Sequence, residues 1–514
     1  MKYYLGLDNG GTTTKAALYS ENGEEIAVVN YSTEAITPMP GFVERDMTDM
    51  WESNSKAISE VLKKADVSAD DVLAVSLCGH GKGLYLWGKD GKPVRNGILS
   101  ADNRAYAYPK KWKEDGTEDK VFKISLQHIL ACQPVSLLAW LKDHEPEVMD
   151  RIEWVFECKD YVRFRLTGKA LAELTDYSGA NLVNLNTREY DDELLRLFGL
   201  ECIKDALPPL CKSTDICGTV TAEAAAATGL KEGTPVVGGM FDIDACALAV
   251  DVTDPENICM IAGTWSINEY PSKLPVTDGS VLMNSLFCLP EYYLIEESSA
   301  TSAGNHAWFI KQLLSEAAEA AKTKGSDIYA EMNEWVESIK PEEFVPVFLP
   351  FVMASNVHPN AKGSFVGIST NHTRKHLLRS VYEGVAFSHR YHLEKLLKTR
   401  ETPPRVIRLA GGVTRSAVWV QMFADIMQYP IETVDVNETG ALGSVIAASV
   451  AIGQHKSMAE ATAAMVHVSK AVMPRKEYAD IYDRKYELYL KTISCLDGLW
   501  DDMQKLIEES VSES

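Results

Sequence analysis

Apolar and polar positions alternate in short runs at the start of the chain. Lys2 to Leu7 and Ala16 to Tyr19 read as strands, and Ile26 to Tyr31 continues them after the turn-forming Glu21-Asn22-Gly23-Glu24. This pattern predicts a run of hairpins, so the loop Asp8-Asn9-Gly10-Gly11-Thr12-Thr13-Thr14-Lys15 joins two strands and opens no helix. Its spacing also fails the nucleotide cradle Gly-x-x-x-x-Gly-Lys-Ser/Thr, because Gly10 and Gly11 are adjacent and no hydroxyl residue follows Lys15.

A comparable unit recurs where the apolar run Ile258 to Ala262 leads into Gly263-Thr264-Trp265-Ser266, and two strand-Gly-Thr turns imply two related halves. Between them, Val236 to Val250 reads as a strand ending at glycines, then Asp242, then a small-residue helix, with the boundary between halves near Asp251 to Glu256. A third glycine element, Val406 to Met427, is a strand, Gly411-Gly412, and a helix with Val418, Met422 and Ile426 on one face. Tyr478, Tyr482, Tyr486 and Tyr489 repeat at helical spacing and predict a core-facing stripe, and the tail is expected to fray from Glu508.

At 514 residues the chain exceeds one comfortable core, and roughly 150 residues per domain predicts two large domains or three small ones. The hydrophobic fraction of 46% and charged fraction of 24% are those of an ordinary folded protein. A net charge of −22 spread along the chain opposes binding to nucleic acid or an anionic bilayer. An anionic ligand such as ATP stays compatible, provided backbone N–H groups, a lysine and magnesium make its pocket locally positive. The ten cysteines include no Cys-x-x-Cys pair and read as reduced thiols. With neither a signal-like start nor a long apolar stretch, the expected location is the cytoplasm.

Asp8 stands where a strand meets a glycine turn, so its carboxylate can hold hydrated magnesium while Thr12, Thr13 and loop N–H groups face phosphate oxygens. An ordinary hairpin turn uses the same residues. Asp242, among Met240, Phe241 and Ile243, is placed either to accept a hydroxyl proton as a poorly solvated carboxylate or to cap a helix. In Gly79-His80-Gly81-Lys82-Gly83, small residues let a ligand approach while His80 and Lys82 offer donors. Asp102 and Arg104 can grip polyol oxygens or form a surface ion pair.

Together these segments resemble the FGGY family of carbohydrate kinases over most of the chain. The most specific stretch is GSFVGISTNHTRKHLLRSVYEGVAF, in which Gly363, Phe365, Gly367, Ile368, His376, Leu377, Ser380, Val381, Tyr382, Glu383 and Gly384 fit the family's second signature. In QPVSLLAWL the first signature is broken, because Leu137 stands where lysine is usual; Trp140 and the helix pattern survive. The resemblance implies an α/β fold of two ribonuclease-H-like, actin-like ATPase domains with an active-site cleft between them. It divides the chain into residues 1–251 (sugar and part of the phosphate site), 252–490 (ATP site) and 491–514 (a C-terminal helix and tail).

The same resemblance assigns Gly10, Gly11, Thr12, Thr13, Lys15, Gly263 and Thr264 to ATP phosphates, Gly411 and Gly412 to the border of adenosine, and Asp8 to Mg2+. It makes Asp242 the catalytic base and His80, Gly81, Lys82, Asp102, Arg104 and Asp242 the substrate contacts. Lys159 to Leu185 and Phe348 to Phe351 also resemble family segments and read as mostly structural. Around His80, Ser100 to Arg104 and Phe241-Asp242 the chain is most similar to bacterial L-xylulose kinases. The expected reaction is transfer of the γ-phosphate of ATP to a terminal hydroxyl of a ketopentose. D-xylulose, ribulose, erythritol and glycerol are alternatives, as is an actin-like ATP-dependent switch, and a homodimer is compatible with the chain.

Overall fold

The first hairpin forms as its pattern requires. In the computed structural model, which describes residues 1–355 and 357–512, Tyr3–Asn9 pairs antiparallel with Thr13–Ser20 and sets Asp8 opposite Lys15. Thr13–Ser20 then pairs with Glu25–Ser32. On its other edge Tyr3–Asn9 lies parallel to Val72–Gly79, and the sheet continues through Pro235–Val237 to the edge strand Ile216–Thr219. Met240–Phe241 also pairs with Val72–Gly79, opposite Cys78 and Gly79.

This sheet belongs to a unit made of Met1–Thr253, Pro271–Ile295 and Asp435–His467. Successive strand residues face opposite sides. Leu5 and Leu7 therefore share a core with Met50, Ile58 and Val61 of the helix Met47–Ala65, and with Tyr161 and Leu166 of the helix Cys158–Thr167. Gly6 looks the other way, where a β-carbon would stand 2.6 Å from the carbonyl oxygen of Ala441. That carbonyl belongs to the helix Thr439–Ala451, an element that none of the motifs above announces.

The contact is backbone on backbone. A β-carbon on Gly443 would lie 1.9 Å from the carbonyl oxygen of Ala245 in the helix Asp242–Ala249, and one on Gly440 would lie 3.2 Å from the Asp8 carboxyl. Small residues thus seat one helix against both Tyr3–Asn9 and Asp242–Ala249. The segment Pro271–Ile295 is tied to the same unit: Asp244 accepts the Cys288 N–H at 2.8 Å, and Ser178 Oγ accepts the Leu286 N–H at 2.9 Å.

The second unit comprises Asp254–Tyr270, Glu296–Val434 and Val468–Ser514. Ile258–Ala262 turns back so that Ala262 faces Ser266, and it runs parallel to Ile407–Ala410, which pairs with Ile431–Glu432. The antiparallel hairpin beside a parallel strand repeats the arrangement at Tyr3–Ser20. In the helix Ala479–Leu496, Tyr482, Tyr486 and Tyr489 are buried as expected, whereas Tyr478 lies in the turn ahead of it and is only half-buried. No glycine or proline follows Trp500, and the helix Trp500–Ser512 runs past Glu508, where the sequence is expected to fray. Glu513 and Ser514 lie outside the described residues. No described helix is long and apolar enough to cross a membrane.

Gly443→Ala forces two helix backbones apart, because a carbonyl has no rotamer by which to yield. Urea unfolding should show a loss of roughly 1–3 kcal/mol or more, the range for overpacked interiors; wild-type stability would refute the contact.

Candidate active site

In the first unit the Asp8 turn, His80 to Lys82 and Asp242 stand at the C-terminal ends of Tyr3–Asn9, Val72–Gly79 and Met240–Phe241, whereas Asp102 and Arg104 follow the separate strand Gly97–Ile98. The buried Asn9 anchors the first turn, accepting from Asn54 Nδ2 at 2.7 Å through its side chain and from the His80 N–H at 3.0 Å through its backbone. Thr14 is held by Arg45 at 3.0 Å. Gly10 and Gly11 are half-buried and Thr12 is exposed, which leaves the turn open to a ligand.

Lys15 is not a free charge. Its ammonium lies 2.6 Å from Glu438 and 3.5 Å from Asp8. Burial disfavours its charged form, but the two carboxylates outweigh that and raise its pKa. Glu438 stands immediately before the helix Thr439–Ala451, so the seating of that helix delivers a second carboxylate to the turn. Nothing in the local sequence around Glu438 announces this pairing, which arises from residues 423 positions apart.

Asp242 is the first residue of its helix; Phe241 occupies the capping position, and no side chain caps the helix. The cap reading therefore fails. The Asp242 carboxyl sits in dense surroundings on a half-buried residue. Burial, then Asp8 and Asp176, push its pKa well above the usual carboxylate value, while Lys82 and the Ile243 N–H act in the opposite direction. Lys82 adopts φ +64°, a left-handed backbone uncommon for a side-chain-bearing residue, and its ammonium lies 5.0 Å from the Phe241 ring centre. The Lys82 N–H donates to Glu157 at 2.9 Å.

His80 and the Asp102/Arg104 pair are engaged within the protein. Since the Gly81 carbonyl can only accept, His80 Nδ1 carries the proton toward it at 3.3 Å, and Nε2 accepts from the Tyr85 hydroxyl at 2.9 Å. Burial lowers the His80 pKa to about 4, so the ring is neutral. The surface-pair reading of Asp102 and Arg104 fails, because both side chains are fully buried. Arg104 donates from Nε and Nη2 to the two Asp102 oxygens at 3.0 and 2.8 Å, and from Nη2 to Glu44 at 2.8 Å. Phe42 and Trp140 flank the guanidinium, with centroids 4.2 and 5.3 Å away. Among the described residues, none offers the buried Arg104 Nη1 a hydrogen bond. Leu137, on the same helix as Trp140, is fully buried in an apolar cluster, which accounts for a leucine there.

Beneath Asp242 lies a charged group within the segment Lys159 to Leu185, whose motif reads as structural. Buried Lys159 is 2.6 Å from Asp176 and 3.3 Å from both Asp160 and Glu173. Glu173 accepts from the backbone and hydroxyl of Thr175, whose Oγ1 in turn accepts the Phe241 N–H at 2.9 Å. This chain fixes the residue that precedes Asp242. The signal available was a run of buried-type helix positions carrying Lys159, Asp160 and Asp176, charges that a core admits only as a set.

In the second unit the structure brings Gly263 and Gly411 together. Gly411 has φ +92°, and a β-carbon there would lie 2.5 Å from the Ala262 oxygen and 3.0 Å from the Gly263 nitrogen. Thr264 packs over Gly304 in the first turn of the helix Ala303–Leu313, whose N-terminal N–H groups suit an anion. Buried His389 hydrogen-bonds Ser266, just past the turn, at 3.1 Å and Ser302, at the cap of that helix, at 2.9 Å. Thr264 and Gly412 are exposed.

Residues 3–249 match the N-terminal domain of the FGGY family of carbohydrate kinases, and residues 258–452 match its C-terminal domain. The chain belongs to this family. An L-xylulose/3-keto-L-gulonate kinase of Escherichia coli is 37% identical over 97% of this chain and 98% of its own. A probable L-xylulose kinase of Pasteurella multocida is 35% identical over 97% of this chain and 100% of its own. Among solved structures, a xylulose kinase from Rhodospirillum rubrum matches with TM-score 0.84 at 26% identity, covering 97% of this chain and 100% of that one. A ligand-bound xylulose kinase from Lactobacillus acidophilus matches with TM-score 0.87 at 23% identity, covering 98% and 100%. The fold is thus that of the FGGY sugar kinases. The chain is an ATP-dependent carbohydrate kinase, which sets aside the actin-like switch.

Arg104→Met strands Asp102 as a buried carboxylate without its cation, while Glu44 keeps its ion pair with Arg95. Denaturant unfolding should show a loss of roughly 3–5 kcal/mol, the range for breaking a buried ion pair from one side.

Proposed function

We propose that this kinase phosphorylates a terminal hydroxyl of a ketopentose, L-xylulose first among them, with Asp242 as the base. The observation that carries the assignment is the position of Asp242, beside Asp8 and Lys82 at the strand ends and backed by Thr175 and Lys159. The substrate is proposed from the two L-xylulose kinase relatives, at 37% and 35% identity over 97% of this chain.

Asp242 takes the proton of the sugar hydroxyl as that oxygen attacks the γ-phosphate. Its raised pKa strengthens it as a base, and Lys82 acts against that rise. Positioning and charge neutralisation supply most of the rate in such a transfer. The Asp8–Lys15 turn is assigned to ATP phosphates for its open Gly10-Gly11-Thr12 backbone and Thr13. The Gly263–Thr264 turn is assigned likewise for its place on a helix N-terminus, and Gly411-Gly412 to the border of adenosine. Asp8 fits magnesium: it is a carboxylate beside a phosphate-type turn, and Mg2+ uses one or two carboxylates together with phosphate oxygens. The ion, when bound, neutralises phosphate charge.

For the sugar, Arg104 Nη1 is a buried donor still to be satisfied, and Lys82 and Gly81 border Phe241 next to the base. His80 and Asp102 shape the pocket through their internal bonds. A coupled ADP-release screen over L- and D-xylulose, L- and D-ribulose, erythritol, xylitol and glycerol should give one strong responder, L-xylulose; a dominant response to any other compound replaces the substrate.

Two further outcomes test the base. Asp242→Ala should lower turnover by ~10² to 10⁴ with the fold intact, and near-wild-type turnover would remove Asp242 from the role. Because the base must be ionised and its pKa is raised, activity should fall on acidification from a pH above the usual carboxylate value of about 4. Lys82→Met removes a charge that lowers this pKa, so the acid limb of kcat/KM should move to higher pH. A limb that stays in place or moves down counts against the Lys82 to Asp242 coupling.

A further inference from the structure

The loop Cys211-Lys212-Ser213-Thr214-Asp215-Ile216-Cys217 plays no part in the chemistry above. Cys211 ends a two-residue strand beside Ala172–Glu173, and Cys217 lies in the edge strand Ile216–Thr219. Both are free thiols, and their sulfur atoms are 3.5 Å apart. We propose that Cys211 and Cys217 form a reversible disulfide that displaces the strand carrying Asp242 and so switches the kinase down.

The coupling follows from the hydrogen bonds of the loop between them. The Gly238 N–H donates to the Asp215 carbonyl at 2.9 Å, and the Gly239 N–H donates to the Ser213 carbonyl at 3.1 Å. Gly238 and Gly239 lead straight into Met240-Phe241-Asp242. Ser213 Oγ also donates to Glu173 at 2.8 Å, and Glu173 holds Thr175, which holds the Phe241 N–H. The loop therefore reaches the strand by two routes. A disulfide has its sulfurs about 2.05 Å apart, so closure shortens the sulfur–sulfur separation by roughly 1.5 Å, a movement shared between side-chain torsion and the loop backbone. A misplacement of about 1 Å at a reacting group can cost ~10²-fold in rate.

The surroundings favour reaction at one sulfur. As a thiol Cys217 donates toward Cys211 Sγ at 3.5 Å and the Asp215 carbonyl at 3.6 Å; on ionising it accepts from Cys211 instead, which lowers the Cys217 pKa and raises that of Cys211, and the buried Arg163 guanidinium lowers both. Arg163 is fixed there by its bonds to the Gly238 and Leu171 carbonyls. Both cysteines are nearly closed to solvent, but Ile216 beside Cys217 is exposed on an unpaired sheet edge, where a small oxidant can enter. With hydrogen peroxide as oxidant, the Cys217 thiolate attacks one oxygen and breaks the O–O bond, giving a sulfenic acid and, with one proton, water. Cys211 sulfur then attacks Cys217 sulfur; the S–O bond breaks and hydroxide leaves with the Cys211 proton as a second water. Two thiols are oxidised to a disulfide, one peroxide is reduced to two waters, and a dithiol reverses the change.

The effect on turnover rests on Asp242 being the base; the disulfide itself does not. The full chain, with exposed Cys202 and Cys495 changed to serine, is treated with a small excess of peroxide and digested with trypsin, which cuts after Lys212. The expected product joins peptide 205–212 to peptide 213–231 through a disulfide, with turnover reduced ~10-fold or more and restored by dithiothreitol. Cys217→Ser and Cys211→Ala should each keep the basal turnover and resist the loss. Cysteines recovered unlinked or in other pairings would overturn the site. The expected linkage with full turnover would overturn its coupling to the Asp242 strand.

Discussion

The arrangement of the first unit depends on one close approach, that of the helix Thr439–Ala451 to the strand Tyr3–Asn9 and the helix Asp242–Ala249. A β-carbon on Gly443 would stand 1.9 Å from a carbonyl oxygen, so only hydrogen fits there. This approach brings three chemically distinct pieces together: the Asp8 turn, the helix that starts at Asp242, and Glu438. Lys15 then sits between Asp8 and Glu438, so the charge balance of the turn is set by a residue 423 positions away. Side-chain packing would leave more play than a backbone contact does, and phosphoryl transfer tolerates little play.

Buried charge is the second constraint. Lys159 with Asp160, Glu173 and Asp176 is costly to desolvate, and an apolar core of the same volume would often be no less stable. What the charged set adds is direction. Glu173 fixes Thr175, Thr175 fixes the Phe241 N–H, and Asp176 keeps negative potential under Asp242, raising its proton affinity. Orientation and basicity of one carboxylate thus share a source, which explains charges in a place where packing alone needs none.

Much of this was legible in the sequence because it is local. The Asp8–Lys15 and Gly263–Ser266 hairpins follow from alternating strands and turn residues, and they form where that pattern puts them. Asp242 was legible as a carboxylate at a strand end, but its two readings were separable only once the capping position proved to be Phe241. Glu438, Lys159 and His389 were not legible as neighbours of the candidate site, since each acquires its partner through tertiary contact. His80 was found as a polar residue among glycines, and Asp102 and Arg104 as a carboxylate and a guanidinium two apart after a strand end. Their internal bonds, and the burial of the Asp102/Arg104 pair, depend on Tyr85, Glu44, Phe42 and Trp140 from other elements.

In the proposed sugar site those internal bonds bear on selection. A donor already committed to a fixed protein partner cannot reorient to suit each hydroxyl, so it defines a shape more than it contributes adjustable affinity. Arg104 is the clearest case: two carboxylates and two aromatic rings immobilise it, leaving Nη1 aimed by the others. A sugar oxygen that meets this nitrogen satisfies an orphaned buried donor, whereas a sugar without one there leaves it unpaired, at a cost of roughly 1–3 kcal/mol or more for a charged group. Discrimination by one such donor can exceed what an apolar wall achieves. Closely related kinases can therefore share this fold and these turns while differing in the sugar they accept.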